Sequence, residues 1–157
     1  MLPNTPPGIA CALPALRGAV AGIEMAESGW KPWIAVDTHT LKIHHWKSRR
    51  EAISGIKALL SQGRHLAVGI AQIKVSNFRT YHVDLQTALD PCGAARAVAN
   101  ALQKNICWAA SRGIPYRQQL AAAASGYTSG SLYPATPQTV AYVRIVTQIA
   151  ASFGKRG

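Results

Sequence analysis

The sequence predicts a mainly α domain of the α+β class with one small β-hairpin. Three observations carry this. Apolar residues recur at helical spacing in several separate segments, whereas strict alternation occurs only between Ile34 and Trp46. Glycine, proline and N-capping residues fall where those segments begin and end. No repeat, linker or low-complexity tract divides the 157 residues, of which 48% are hydrophobic, enough for one domain with a real core.

Taken in order, residues 1–12 read as an extended leader, because Pro3, Pro6 and Pro7 disfavour helix. The domain proper is expected over 13–157. Leu13, Leu16, Val20 and Ile23 mark a first helix that runs to about Glu27, where Ser28-Gly29 and then Pro32 stop it. Ile34-Ala35-Val36, a polar turn at Asp37-Thr38-His39-Thr40, and Leu41 and Ile43 alternating with Lys42 and His44 predict the hairpin. Ser48-Arg49-Arg50-Glu51 is a capping box that opens a helix with Ile53, Ile56, Leu59 and Leu60 inward, ending near Gly63. The strip from Leu66 to Ile73 is apolar but too short and too mixed to assign. Asp90-Pro91 places an N-cap and a first-turn proline ahead of a long helix striped by Val98, Leu102, Ile106 and Ala109, ending at Gly113. A short helix from Gln118 to Ala124 is expected to give way to a loop over Ser125–Gly130. A last helix follows, from Thr136 to Phe153, with Val140, Val143, Val146 and Ile149 inward.

Charge narrows the setting. Seventeen Lys and Arg stand against six Asp and Glu, a net charge of +11 that suits a polyanionic environment such as nucleic acid, an anionic membrane surface or cell-wall polymer. No stretch is long and apolar enough to span a membrane. Met1–Pro7 has neither a basic start nor an apolar run, so no signal peptide is expected within the sequence. Cys11, Cys92 and Cys107 cannot all pair with one another, and their spacing fits no zinc pattern. His39, His44 and His45 gather near the hairpin, but no carboxylate or cysteine cluster completes a metal site with them, so neither metal nor other cofactor is expected. Lys42, Lys47, Arg49 and Arg50 form a basic group suited to solvent or to an anionic polymer.

The first helix carries the chemistry. Continued at about 100° per residue, its apolar stripe places Glu27 at the centre and Glu24 on the flank, so that Glu27 lies on a buried face in the last helical turn. Burial raises a carboxyl pKa, and the negative end of the helix dipole acts the same way. A glutamic acid that keeps its proton near neutrality is suited to general-acid catalysis. The plainer alternative is a surface acid at a frayed helix end.

Three short stretches come in order: Glu27-Ser28-Gly29, Gly69-Ile70-Ala71-Gln72-Ile73 and Tyr127-Thr128-Ser129-Gly130. Together they resemble the signature of the soluble lytic transglycosylase (SLT) domain of the lysozyme-like superfamily, whose motifs are ESG, G-(L/V)-x-Q-I and YNxG. The likeness is greatest to the specialised transglycosylases of type IV secretion and conjugation systems. In those a leading cysteine, an S-x-N-F-like stretch and a DPC triplet correspond here to Cys11, Ser76-Asn77-Phe78 and Asp90-Pro91-Cys92. It extends over about Cys11 to Val146.

The resemblance implies a lysozyme-like fold and peptidoglycan glycan strands as substrate. Glu27 would be the sole catalytic acid and base. It would protonate the MurNAc-GlcNAc β-1,4 glycosidic oxygen and then take the proton of the muramoyl 6-hydroxyl, which closes a 1,6-anhydro ring. Ser28 would orient Glu27 or touch the sugar, Gln72 would hydrogen-bond in the cleft, and Tyr127 would position the Glu27 carboxyl or line its pocket. Thr128 would lie in the substrate site. It stands where the family has Asn, and a hydroxyl cannot supply both an amide donor and an amide acceptor. Ala67 stands where the branch often has Asp. The resemblance also implies a periplasmic protein acting beside secretion or conjugation machinery, its leader absent from this sequence, and a Cys11–Cys92 disulfide. Cys107 is expected to be a buried thiol beside its helix's apolar stripe. Residue chemistry is compatible with this reading, because paired-carboxylate glycosidases need a second acid. Glu51 and Asp90 are committed to helix caps, and Glu24 lies one turn from Glu27 on the same helix.

Three alternatives stay open: a hydrolytic muramidase, a non-catalytic wall-binding scaffold, and a basic helical nucleic-acid-binding protein. The last would use Ala94–Leu120 as two helices across a glycine turn. Its cations, Arg96, Lys104, Arg112 and Arg117, form no tight recognition stripe, so no nucleic-acid partner is expected.

Overall fold

A computed structural model describes residues 5–154. It shows a mainly α, α+β architecture of seven helices and one four-stranded antiparallel sheet among these residues, consistent with a lysozyme-like fold. Residues 1–4 of the expected leader lie outside the described residues. The rest of the leader corrects the extended reading, because Ile9–Cys11 forms a 310 turn and Ala12 is buried. Arg17 holds this segment down by donating to the carbonyls of Ala12 and Ala10, at 3.2 and 3.0 Å. Cys11 is disulfide-bonded to Cys92, which closes 81 residues of sequence separation.

Helix α1, Arg17–Ser28, begins later than its apolar stripe suggests, after a second 310 turn at Pro14–Leu16 that leaves Leu13 half exposed. It ends at Gly29, whose left-handed φ of 63° is readily adopted only without a Cβ. The middle of α1 is buried on every side: Ala19, Val20, Ala21, Gly22, Ile23 and Glu24 are all inaccessible or nearly so. Gly22 makes this possible. A Cβ there would lie 2.6 Å from the carbonyl oxygen of Val146 and 2.8 Å from its Cα, so α1 packs backbone to backbone on helix α7, Pro137–Gly154.

The expected hairpin is present but is only half of the sheet. Strands β1, Ile34–Asp37, and β2, Ile43–His45, pair with Ala35 opposite His44. The turn is tied by Asp37, whose carboxylate accepts from the amides of His39 and Thr40 at 2.9 and 3.0 Å. The apolar strip left unassigned in the sequence supplies β3, Leu66–Val68, and β4, Ile73–Lys74, giving the order β2-β1-β3-β4. Leu66, Ala67 and Val68 are all buried, which is why no alternation marks them.

Helix α2, Arg49–Ser61, starts at the Ser48 cap, whose hydroxyl accepts from the Glu51 amide at 3.1 Å. The reciprocal Glu51 carboxylate takes the Lys47 amide, one residue outside a standard box. Two short helices follow, α3 at Phe78–Tyr81 and α4 at Leu85–Leu89, the second capped by Asp84. The long helix α5, Pro91–Ser111, has the expected Asp90 cap and first-turn proline. Helix α6, Tyr116–Ser129, corrects the sequence reading. It runs straight through the residues expected to form a loop and stops only at Gly130.

Two cores result. One joins α1, α5, α6 and α7 through residues such as Val20, Ile23, Val98, Leu102 and Val146. The other joins the sheet to α2 and α4 through Ala35, Ile56, Val68 and Leu89. The open seam between the sheet and the helices is where the candidate site residues meet.

Candidate active site

A cleft of about 770 Å³ lies in that seam. The last turn of α1, strands β1, β3 and β4, helix α3 and the end of α6 line it. Its lining includes Glu27, Gln72, Tyr127 and Thr128, brought together from positions up to 101 residues apart in the numbering. Of the six acidic residues in the chain, all within the described range, only Glu27 lines it. Lys74, Asn77 and Tyr81 contribute further polar groups.

The two glutamates of α1 stand the opposite way round from the sequence reading. Glu24 is wholly buried, and both of its carboxylate oxygens lack a hydrogen-bond partner among the described residues. Glu27 is half-buried at the cleft wall. A single apolar stripe assumes that one face of a helix meets protein. The middle of α1 is enclosed on all faces and its final turn emerges, so depth along the helix outweighs angle around it.

Burial pushes the Glu27 carboxyl up to about 7, against a donated hydrogen bond from Tyr142 and the positive charge of Lys74, which pull it down. The Tyr142 hydroxyl donates to Glu27 Oε1 at 2.8 Å. Tyr142 itself is pushed far above the usual tyrosine range by burial and by the Glu27 charge, so it remains a donor. This contact joins residues 115 apart and has no local marker, because Tyr142 lies beside the Val140–Val143–Val146 stripe of an otherwise ordinary core helix.

Tyr127, expected to position the acid or line its pocket, lines the cleft, and its hydroxyl engages another group. Its hydroxyl donates to the Ala71 carbonyl at 3.1 Å, and its ring meets Tyr81 edge to face, centroids 6.2 Å apart. It thereby ties α6 to the β3–β4 turn. Ser28 does a similar task from the other side. Its hydroxyl donates to the Ile70 carbonyl at 2.7 Å and to the Glu24 carbonyl at 3.1 Å, and accepts from the Lys31 amide. Ser28 is absent from the cleft lining, so it fixes the end of α1 against the turn that carries Gln72.

Gln72 sits in that turn with a left-handed φ of 49°, uncommon for a residue with a side chain. Its amide nitrogen donates to the Gly69 carbonyl at 2.9 Å, which holds the side chain at the cleft wall. Thr128 lies in the last turn of α6, facing the cleft, rather than in a loop. Cys107 is exposed rather than buried, because its side of α5 faces solvent. Among the described residues no group of three His, Cys, Asp or Glu could hold a metal ion, and no helix is long and apolar enough to cross a membrane.

The architecture is therefore α+β, consistent with a lysozyme-like fold, with one acid in the cleft between its helices and sheet. Comparison with known proteins finds a similarity to Protein virB1 of Agrobacterium fabrum (strain C58). The two are 29% identical over 92 residues, covering 59% of this chain and 38% of that protein. The chain thus spans well under half the length of that curated relative. The match supports a virB1-like relationship. No protein-family profile matches the chain, and no solved structure matches it.

Proposed function

We propose that the chain is a peptidoglycan lytic transglycosylase, a cell-wall-degrading lyase that opens the wall for a type IV secretion or conjugation machine. The observation that carries the reading is a lone carboxyl, Glu27, half-buried at a cleft with a pKa near 7 and held by one donor. At that pKa the group is substantially protonated at neutral pH and can also act as a base once it has lost its proton.

In the proposed reaction Glu27 gives its proton to the glycosidic oxygen between N-acetylmuramic acid and N-acetylglucosamine. The C1–O bond breaks and the leaving sugar departs as an alcohol. The Glu27 carboxylate, now accepting the Tyr142 hydrogen bond, takes the proton of the muramoyl 6-hydroxyl. That oxygen bonds to C1, closing the 1,6-anhydro ring and returning the proton to Glu27. No second acid lines the cleft, so a paired-carboxylate mechanism has no partner here. Gln72 and Thr128 would contact the sugars, while Ser28 and Tyr127 act as positioning residues through the β3–β4 turn.

Similarity to virB1, the motif resemblance and the net charge of +11 support a setting at anionic cell wall beside secretion machinery. The Cys11–Cys92 disulfide supports an oxidising compartment such as the periplasm. Clearing of purified peptidoglycan tests the reading: wild type should clear it and Glu27→Gln should not. Equal clearing by both would remove Glu27 from the mechanism.

A further inference from the structure

A second groove, of about 750 Å³, shares Thr80, Tyr81, Gly126 and Tyr127 with the cleft and continues away from it over α5. One face of α5 forms its floor: Arg96, Asn100, Lys104 and Cys107 follow one another at intervals of four, four and three, which stacks them on one side of the helix, with Gln103 beside Lys104. No Asp or Glu lines this groove. The acids closest in sequence, Asp84 and Asp90, cap α4 and α5 by accepting from the amides of Thr87 and Gly93. Arg96 and Lys104 make no hydrogen bond or ion pair among the described residues. Two free cations in a concave site without acids create a local positive field. Tyr81, Val83 and Ala97 add apolar wall.

We propose that this groove binds the peptide stem of the same peptidoglycan strand whose sugars occupy the cleft, a reading that rests on the proposed function above. A stem is a short peptide with free carboxylates and small apolar side chains, attached to the muramoyl sugar beside the scissile bond. Cations for carboxylates, amides for peptide groups and apolar wall for methyl groups match that chemistry. Uncharged glycan would have no use for the two cations. Arg96 and Lys104 receive the stem carboxylates, and the shared Tyr81–Tyr127 edge is where the stem leaves the sugar.

The test uses the full disulfide-bonded chain and, as probe, the stem peptide released from purified peptidoglycan by an amidase. Wild type should bind it measurably by calorimetry, and Arg96→Ala with Lys104→Ala should weaken binding about tenfold at low salt, the expected scale for two partly exposed charge contacts. Both residues are exposed, and circular dichroism checks that the fold is kept. Cys107 gives an independent probe: an anionic thiol reagent should weaken stem binding and a cationic one should not. Cleavage of stem-bearing peptidoglycan relative to amidase-stripped glycan should fall in the double variant by a similar factor. No binding by wild type, equal binding by the double variant, or equally tight binding of polyglutamate would each overturn the assignment. If wild type cleaves neither substrate, the catalytic reading fails, while peptide binding still decides the groove.

Discussion

Glu24 allows the clearest calculation from the structure. It lies fully buried in the enclosed middle of α1, and neither of its oxygens meets a donor among the described residues. Desolvation alone pushes its carboxyl from 4.5 up to about 8. The folded state therefore holds the proton across a range in which the unfolded chain releases it. Stability from this group is fully present below pH 4.5 and is lost as pH rises towards 8. At about 1.4 kcal/mol per pH unit, the interval from 4.5 to about 8 corresponds to about 5 kcal/mol, of which about 3 kcal/mol is already lost at pH 7. Glu24→Gln keeps the shape of the protonated acid and cannot ionise. Urea unfolding, followed by circular dichroism from pH 4.5 to 8.5, should give similar stabilities for the two proteins at the acid end. Glu24→Gln should then pull ahead progressively, by several kcal/mol at the alkaline end. Glu27 is present in both proteins and cancels from the difference. Parallel stability curves would refute the reasoning and mean that the Glu24 carboxyl meets water or a donor.

Tyr142→Phe removes the donor that holds the Glu27 carboxyl down, so the alkaline limb of the pH–rate profile should move to higher pH, while the plateau rate falls roughly tenfold because the carboxylate formed on proton transfer loses its hydrogen bond. An unchanged profile would mean that the contact does not tune the acid. Gly22→Ala inserts a methyl group against the Val146 backbone and should cost about 1–3 kcal/mol in urea unfolding. Because α7 also carries Tyr142, wall-clearing activity should fall further than the lost stability explains. Reduction of Cys11–Cys92, or Cys11→Ser, opens a loop of 81 residues' separation and should lower stability by about 4.5 kcal/mol in the chain-entropy model, read as a fall in Tm.

Much of the fold is legible in the sequence because local chemistry marks it. The Ser48 and Asp90 caps, the Pro91 start and the Asp37 turn each satisfy their own backbone within a few residues, and each stands where the sequence predicts. What escapes is set by packing. Strand β3 is enclosed and carries no alternation, and β4, a buried Ile73 followed by an exposed Lys74, is too short to show one. Helix α6 continues through Gly126 because that glycine packs beside Asn105 and Leu132, so a residue that reads as a break is a close contact. The site divides in the same way. Glu27, Gln72, Tyr127 and Thr128 are recognisable in order along the chain and meet at one cleft. Their hydrogen-bond partners are not, because Tyr142 reaches Glu27 across 115 residues and Ser28 turns to Ile70. The depth of Glu24 is equally invisible, because it depends on α1 packing against helices distant in sequence, such as α7.

In the proposed reaction Glu27 alone transfers both protons of an intramolecular cleavage. Mass spectrometry of fragments released from purified peptidoglycan by wild type and by Glu27→Gln tests it most directly. Wild type should release 1,6-anhydro-muramoyl ends and the variant none. Reducing muramoyl ends from wild type would show that water is the nucleophile, and anhydro ends from the variant would show that another group supplies the acid.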